Sequence, residues 1–268
     1  MQGSVPKAIM TRFKKKYSRR LALVLIPVAI LSLIYFLWVP DISKLNKENP
    51  KKTSFMQLRE KEWREKGQRT RINQKWAPLS RISPYLIKAV LIAEDDKFWS
   101  HEGFDYEAIQ KAIEKDIKSR KFKFGGSTIS QQLARNLYLS PGKNPLRKIA
   151  EAFMTWRMER VLTKRRILEL YLNLVEWGEG LYGAEAASKH YYGKPSSELT
   201  PHEAARLAAV LPNPRRYSPV GNQRYVVSRS NVIYNIMIQR GIVVPEYEGV
   251  AGDENLPLLE SPDPLRSP

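Results

Sequence analysis

The sequence has no cysteine, so neither a disulfide framework nor a thiolate metal site can exist in it. That absence fits any redox compartment and selects none. Histidine is nearly as scarce: the three, at 101, 190 and 202, do not cluster, and a histidine-based metal site is not credible. Sustained period-two alternation is missing, which argues against a large sheet. Acid is wanting where base is dense. The first twenty residues hold Lys7, Arg12, Lys14, Lys15, Lys16, Arg19 and Arg20 and no carboxylate. The chain as a whole carries a formal charge of +18, large for 268 residues. Such a balance suggests an anionic partner: nucleic acid, lipid head groups or a phosphorylated substrate.

What is present begins with an apolar run, LALVLIPVAILSLIYFLWV, residues 21–39, with no charge in it. At helical rise it just spans a bilayer core of about 30 Å, and Pro27 is tolerable in a membrane helix. Tyr35 and Trp38 stand where an interfacial aromatic belt belongs, and the basic flank of residues 1–20 places the N-terminus in the cytoplasm. No small-x-small cleavage site precedes Asp41, so the run reads as an uncleaved single-pass anchor. Nucleic acid then loses its appeal, because the basic body lies on the other side of the membrane. Residues 40–75 are polar and charge-rich and read as a linker or exposed helix.

The body, residues 76–240, is patterned as mainly α. Ser83 and Pro84 open a helix whose apolar face runs through Leu86, Ile87, Val90, Leu91 and Ala93. Asp105 caps a second, with Tyr106, Ile109, Ile113 and Ile117 on one face, and Pro145 opens a third. Thr200, Pro201 and Glu203 form a capping-box signature. Residues 241–268, acidic and proline-containing, read as a disordered tail.

Several stretches are not explained by packing. Glu94 and Asp95 arrive at the C-terminal end of the first helix, where the dipole disfavours negative charge and raises a carboxyl pKa. That suits a general base, although a Glu-Asp pair taken alone is more simply a solvated helix end. Gly125 and Gly126 precede Ser127 and Thr128 at a helix start, leaving backbone N–H groups where an anion could sit. Gln131 and Gln132 follow, suited to sugar hydroxyls or amides, or simply to a polar face. Arg135, Lys143, Arg147 and Lys148 form a run of cations with Glu151 four residues after Arg147. A helix salt bridge accounts for the last pair; a phosphate grasped by four cations is the sharper alternative.

The ordered set resembles the peptidoglycan glycosyltransferases, glycosyltransferase family 51. EDDKFWSHEG (94–103) is similar to the family's first motif, GGSTISQQLARN (125–136) to the second, RKIAE (147–151) to the third and KRRILELYLN (164–173) to the fourth. WGEGLYGAEAASKHYYGK (177–194) and LTPHEAARLAAVLPNP (199–214) look like the family too. The resemblance runs from about Trp76 to Pro219. No Ser-x-x-Lys plus Lys-Thr-Gly set follows, so the chain looks like the monofunctional, membrane-anchored biosynthetic form.

That resemblance implies a lysozyme-like α domain with a smaller membrane-associated lobe, the latter expected at residues 104–124 around Phe104, Phe122 and Phe124. It implies transfer of an undecaprenyl-pyrophosphate-linked glycan strand to the GlcNAc 4-hydroxyl of lipid II, inverting to a β-1,4 linkage in cell wall biogenesis. Glu94 maps onto the general base and Glu151 onto the second catalytic glutamate. Arg135 and Lys143 map onto positions that contact donor phosphates. Asp95, Ser127, Thr128, Gln131, Gln132, Arg147 and Lys148 line the substrate site. Phe98, His101, Glu169, Tyr171 and Asn173 read as scaffold. No tightly bound cofactor is implied; Mg²⁺ or Mn²⁺ is a candidate companion of the pyrophosphate. Divisome or elongation-complex proteins are candidate partners, and the inner membrane, with the body periplasmic, the implied location. A lytic muramidase-type enzyme and a non-catalytic membrane-anchored scaffold are the rival readings, against which stand the pyrophosphate-suited cations and the intact first motif.

Overall fold

The computed structural model describes residues 23, 25–28, 40–69, 71–119, 126–139 and 145–244. They belong to two units, residues 1–42 and 43–268. In the first unit Leu23 and residues 25–28 are helical and exposed, and the rest of the expected anchor lies outside the described residues. Among the described residues no helix is long and apolar enough to cross a membrane. Most of the acidic tail also lies outside them.

The second unit is mainly helical, as its patterning predicts. Helix α1 spans Ser54–Glu65, α2 Pro84–Glu94, α3 Tyr106–Ser119, α4 Ile129–Tyr138, α5 Pro145–Val161 and α6 Lys164–Leu174. After two short strands come α7 (Ala184–Tyr192), α8 (Pro201–Val210) and α9 (Arg224–Gln239). The capping box read at Thr200 and Glu203 forms at the start of α8. Four of its seven buried residues are alanine (Ala204, Ala205, Ala208 and Ala209), which lets α2 and α9 approach closely. Proline stands at the head of α2 as expected, but Ser83 does not cap it. Its hydroxyl donates to the Leu199 carbonyl at 3.0 Å instead, tying α2 to the approach of α8.

Helix α4 packs between α5 and α6. The second half of α6 is apolar on every side (Leu170, Tyr171, Leu172 and Leu174 are all buried), as a helix surrounded by others requires. Asn173 is the buried polar exception on α6. Its side-chain oxygen accepts from the Ala77 N–H and its amide donates to the Ala77 carbonyl, both at 2.8 Å, so it pairs with backbone as a strand would. This supports its reading as scaffold, as do the bonds of Glu169 to the Leu79 N–H and to Arg166. A three-stranded sheet joins β1 (Asn73–Gln74), β3 (Leu181–Tyr182) and β2 (Glu176–Gly178) in that order, with β1 parallel and β2 antiparallel to β3.

The stretch read as a polar linker is largely folded onto this body. Thr53 caps α1 through the Met56 N–H at 3.1 Å, and α1 lies against α4. Trp63 is buried and its indole donates to Glu179 at 3.2 Å, while Arg59 reaches Glu176. Gly180, at φ +70°, leaves room for that ring: a Cβ there would lie 2.9 Å from the Trp63 Cη2. The physical reason for the difference is periodicity. Met56 and Trp63 are two helical turns apart on one face, and the charged positions between them hid a narrow buried stripe. Trp63→Ala should therefore destabilise the detergent-solubilised protein by about 3 kcal/mol. A melting temperature unchanged by the substitution would show that α1 lies outside the cooperative unit.

Candidate active site

Glu94 ends α2 and Asp95 caps it, and the two adjacent carboxylates have opposite surroundings. Asp95 is satisfied on both oxygens. One lies 2.9 Å from His101 Nε2; the other accepts the backbone N–H of Ile129, also at 2.9 Å. Because His101 Nδ1 accepts the Gly103 N–H at 3.0 Å, its proton sits on Nε2 and is donated to Asp95. Gly103 closes the loop at φ +89°, where a Cβ would press on Thr155 and Glu159 of α5 at 2.8 and 2.9 Å. Its carbonyl accepts the Thr128 hydroxyl at 2.7 Å.

The anion site read at the start of α4 is thus filled by the protein itself. Asp95 takes the Ile129 N–H, and a capping box takes the next donors: Thr128 accepts from the Gln131 N–H at 3.2 Å and Gln131 from the Thr128 N–H at 3.0 Å. Thr128 and Gln131 were expected against substrate. Both are buried, and the Thr128 hydroxyl and the Gln131 side-chain oxygen are engaged in the cap. Their sequence signal was legible, since Thr-x-x-Gln is itself a capping-box pattern. Ser127 is half-buried just before the cap, with its carbonyl 3.5 Å from the Gln132 amide.

Glu94 is in the contrary position. One carboxylate oxygen, Oε2, accepts from Gln132 Nε2 at 2.9 Å; the other, Oε1, is buried without a hydrogen-bond partner. Gln132 is oriented by Tyr171, whose hydroxyl donates to Gln132 Oε1 at 3.1 Å. Burial, reinforced by the nearby Glu94 charge, keeps the Tyr171 phenol protonated far above its ordinary range. Burial also pushes the Glu94 carboxyl up, and Asp95 adds to this. Gln132, Arg229 and Arg135 pull the other way. Arg135 is half-buried, and no hydrogen bond or ion pair engages its side chain among the described residues.

A second cluster lies on α5, which packs on α4. Glu151 is fully buried. One oxygen is bonded to Lys148; the other has no hydrogen-bond partner and lies 4.0 Å from Arg147 Nη1. Arg147 Nε is likewise buried and unpartnered. The helix salt bridge thus forms as part of an ion triad, in which two polar atoms have no hydrogen-bond partner. Lys143 lies outside the described residues. Among the described residues no three His, Asp or Glu side chains gather to hold a metal ion. Glu151 is a single carboxylate between two cations, which does not suit a resident Mg²⁺ or Mn²⁺.

Sequence reasoning missed Arg229, on α9, beyond every motif. Its Nη2 donates to the Ala93 carbonyl at 2.9 Å and stands 4.0 Å from Glu94 Oε1. The available signal was a cation set beside the buried stripe Val226, Ser230, Ile233 and Met237.

Residues 60–238 match the family model described as Transglycosylase. The chain belongs to the transglycosylase family. It is 45% identical over 231 residues to the biosynthetic peptidoglycan transglycosylase of Nitrosospira multiformis, covering 86% of this chain and 99% of that protein. The proteins of the same description from Dechloromonas aromatica and Azoarcus sp. are 48% and 49% identical, over 76% and 74% of this chain and 88% and 87% of theirs. The transglycosylase match begins at residue 60, inside α1, in keeping with the folding of that helix onto the body.

Asp95→Ala should cost about 2 kcal/mol of stability, because it strips an anion from the start of α4 and a partner from His101. In a double-mutant cycle with His101→Ala, the two losses should couple by about 1 kcal/mol. Simple additivity in thermal melts would mean that the 2.9 Å contact carries no stabilisation.

Proposed function

We propose that this transglycosylase polymerises peptidoglycan strands from lipid II, with Glu94 as the general base. The observation that carries the reading is the unpartnered, buried Oε1 of Glu94 beside an Oε2 already held by Gln132. A carboxylate fixed on one oxygen and free on the other is suited to accept one proton in one direction. In the proposed step the GlcNAc 4-hydroxyl of the acceptor gives its proton to Oε1 while its oxygen attacks the anomeric carbon of the lipid-linked strand. Pyrophosphate leaves from the opposite face, so an α-linked donor gives a β-1,4 product by inversion. Each transfer forms one C–O bond and breaks one.

The leaving group needs no proton, only compensation of its charge. Arg135, without a hydrogen bond or ion pair among the described residues, and Arg147, with a buried open Nε, are the side chains assigned to that task. Glu151 acts on these cations, holding Lys148 and facing Arg147, and the reading derives no step through a divalent metal. Lys143 joins them by its place in the motif order. The lysozyme-like architecture fits a mainly helical body with a three-stranded sheet beside it.

Membrane attachment through residues 21–39, with the body on the periplasmic face of the inner membrane, completes the proposal. It is supported by an exposed apolar row on α5: Leu146 is 68% exposed, Ile149 67% and Trp156 43%, with Arg160 stacked over the Trp156 ring. Their spacing sets them along one face of the helix, and rings beside cations suit a lipid interface. The contact zone therefore extends to α5 from the expected 104–124, of which Phe122 and Phe124 lie outside the described residues. Leu146→Asp with Ile149→Asp should weaken polymerisation of lipid II in vesicles at least fivefold while sparing it in detergent. An equal loss in both settings would remove this face from the membrane reading.

Glu94→Gln decides the chemistry. Polymerisation of labelled lipid II should fall by at least a hundredfold, within the range for loss of general-base catalysis. The substitution should also raise the melting temperature at neutral pH. A carboxyl whose folded pKa is raised stabilises the fold below its unfolded pKa and loses that contribution as pH rises through the folded value, so ionised Glu94 is a stability cost at neutrality that Gln removes. Long strands made at the parent rate would end the assignment of Glu94 as base.

A further inference from the structure

The end of α2 is held from two sides, and only one of them belongs to the motifs. From α4 come Gln132, on Glu94, and the Ile129 N–H, on Asp95. From α9 and the residue that follows it come two guanidinium groups. Arg240 makes a two-pronged pair with Asp96, at 2.5 and 2.8 Å on the exposed rim. Arg229 reaches further in, to the Ala93 carbonyl at 2.9 Å and to within 4.0 Å of Glu94 Oε1.

The last carbonyls of a helix are unsatisfied within it and carry its negative end, so a cation there is favoured. Arg229 supplies that cation to the turn that carries the proposed base. Its side chain is 35% exposed, and a cavity of about 480 Å³ lined by Arg224, Tyr225, Ser228, Arg229 and Val232 opens beside it. Water thus has access to the guanidinium from the α9 side while its inner nitrogen faces the free carboxylate oxygen. The inner Nε is buried without a partner, so the group is not wholly engaged by the fold.

We propose that Arg229 is a positioning residue for the base: it fixes the last turn of α2 through the Ala93 carbonyl and sets the charge environment of Glu94 Oε1. The inference rests on the reading of Glu94 as general base. Glu94 faces four charged or titratable neighbours: Asp95 next to it in the chain, Arg135 on α4, Tyr171 on α6 and Arg229 on α9. Asp95 is committed to Ile129 and His101, and Tyr171 stays neutral. The pH at which Glu94 becomes ionised is therefore set by its burial against the Gln132 hydrogen bond and the two arginines. Arg135 is the arginine assigned to the departing pyrophosphate, so its compensation of Glu94 changes as substrate binds and leaves. Arg229 lies on the other helix and is constant through the cycle.

The consequence is a divided role that substitutions can separate. Arg229→Gln keeps a donor for the Ala93 carbonyl and removes the charge; Arg229→Lys keeps the charge and weakens the bond. Initial rates of labelled lipid II polymerisation by the detergent-solubilised full chain should be followed across pH for both variants, the parent and Glu94→Gln. In Arg229→Gln the acidic limb of the kcat profile should move up by about one pH unit, the low end of what an adjacent opposite charge supplies. Below that limb the rate should fall roughly tenfold, with KM within about twofold of the parent. Arg229→Lys should keep the limb in place with a lower melting temperature. A merely structural residue would lower the rate equally at every pH in both variants. An unmoved limb in Arg229→Gln, or a displaced one in Arg229→Lys, overturns the inference. If Arg229→Gln does not fold, the position of the limb in Arg229→Lys decides alone. Activity retained by Glu94→Gln would instead strike the base assignment itself, whatever the arginine variants do.

Discussion

The site depends first on the Asp95 carboxylate seated at the start of α4. An anion at a helix N-terminus satisfies an orphan N–H and meets the positive end of the dipole, and here the anion is supplied by the loop that ends α2. That contact fixes the separation of α2 and α4 at the point where Glu94 must meet Gln132. His101 holds the opposite oxygen of Asp95 and returns to the chain at Gly103, whose carbonyl accepts the hydroxyl of the Thr128 cap. The first and second motifs are thereby one hydrogen-bonded unit. Gly103 then sets this unit against α5 at a distance no other residue allows, since a Cβ there would overlap Thr155 and Glu159. Glu159 returns the contact by accepting the Ser130 hydroxyl of α4, while Lys164 pairs with it from the start of α6.

Much of this was legible in the sequence, for reasons that can be named. Helix heads were read from local chemistry, and the caps at Asp105 and Thr200 form as read. Glu94 stood out because an apolar helix should not end in two carboxylates. Contacts set by tertiary approach were not legible. Nothing in the local pattern says that Asp95 would occupy the start of α4, so that helix was left open for a ligand. Tyr171 continues an apolar face, and its hydroxyl acquires a role only because Gln132 crosses from α4. Arg229 is 135 residues from Glu94, and its place beside the buried stripe of α9 does not say which element it will meet. In α1 the error ran the other way, since a buried stripe of Met56 and Trp63 is too narrow to show through eight charged or polar residues of the same helix.

The two neighbouring carboxylates show how environment separates functions within one residue pair. Asp95 has a donor for each oxygen and serves as an anchor. Glu94 has one donor for two oxygens, is buried, and is pushed toward the neutral form. A fold optimised for stability alone would complete the second carboxylate as it completes the first, because an unsatisfied buried oxygen costs about 1–3 kcal/mol. The cost is confined to one atom by surrounding it with compensating charge from Arg135 and Arg229 on different helices. The same logic holds on α5, where Glu151 is fully buried, paired to Lys148 on one oxygen and open on the other toward Arg147. Each glutamate of the proposed pair is therefore held by one hydrogen bond and left one oxygen. A catalyst that must take a proton on one side and manage a doubly charged leaving group on the other needs that incompleteness, and the packed helices around it supply the stability to keep it.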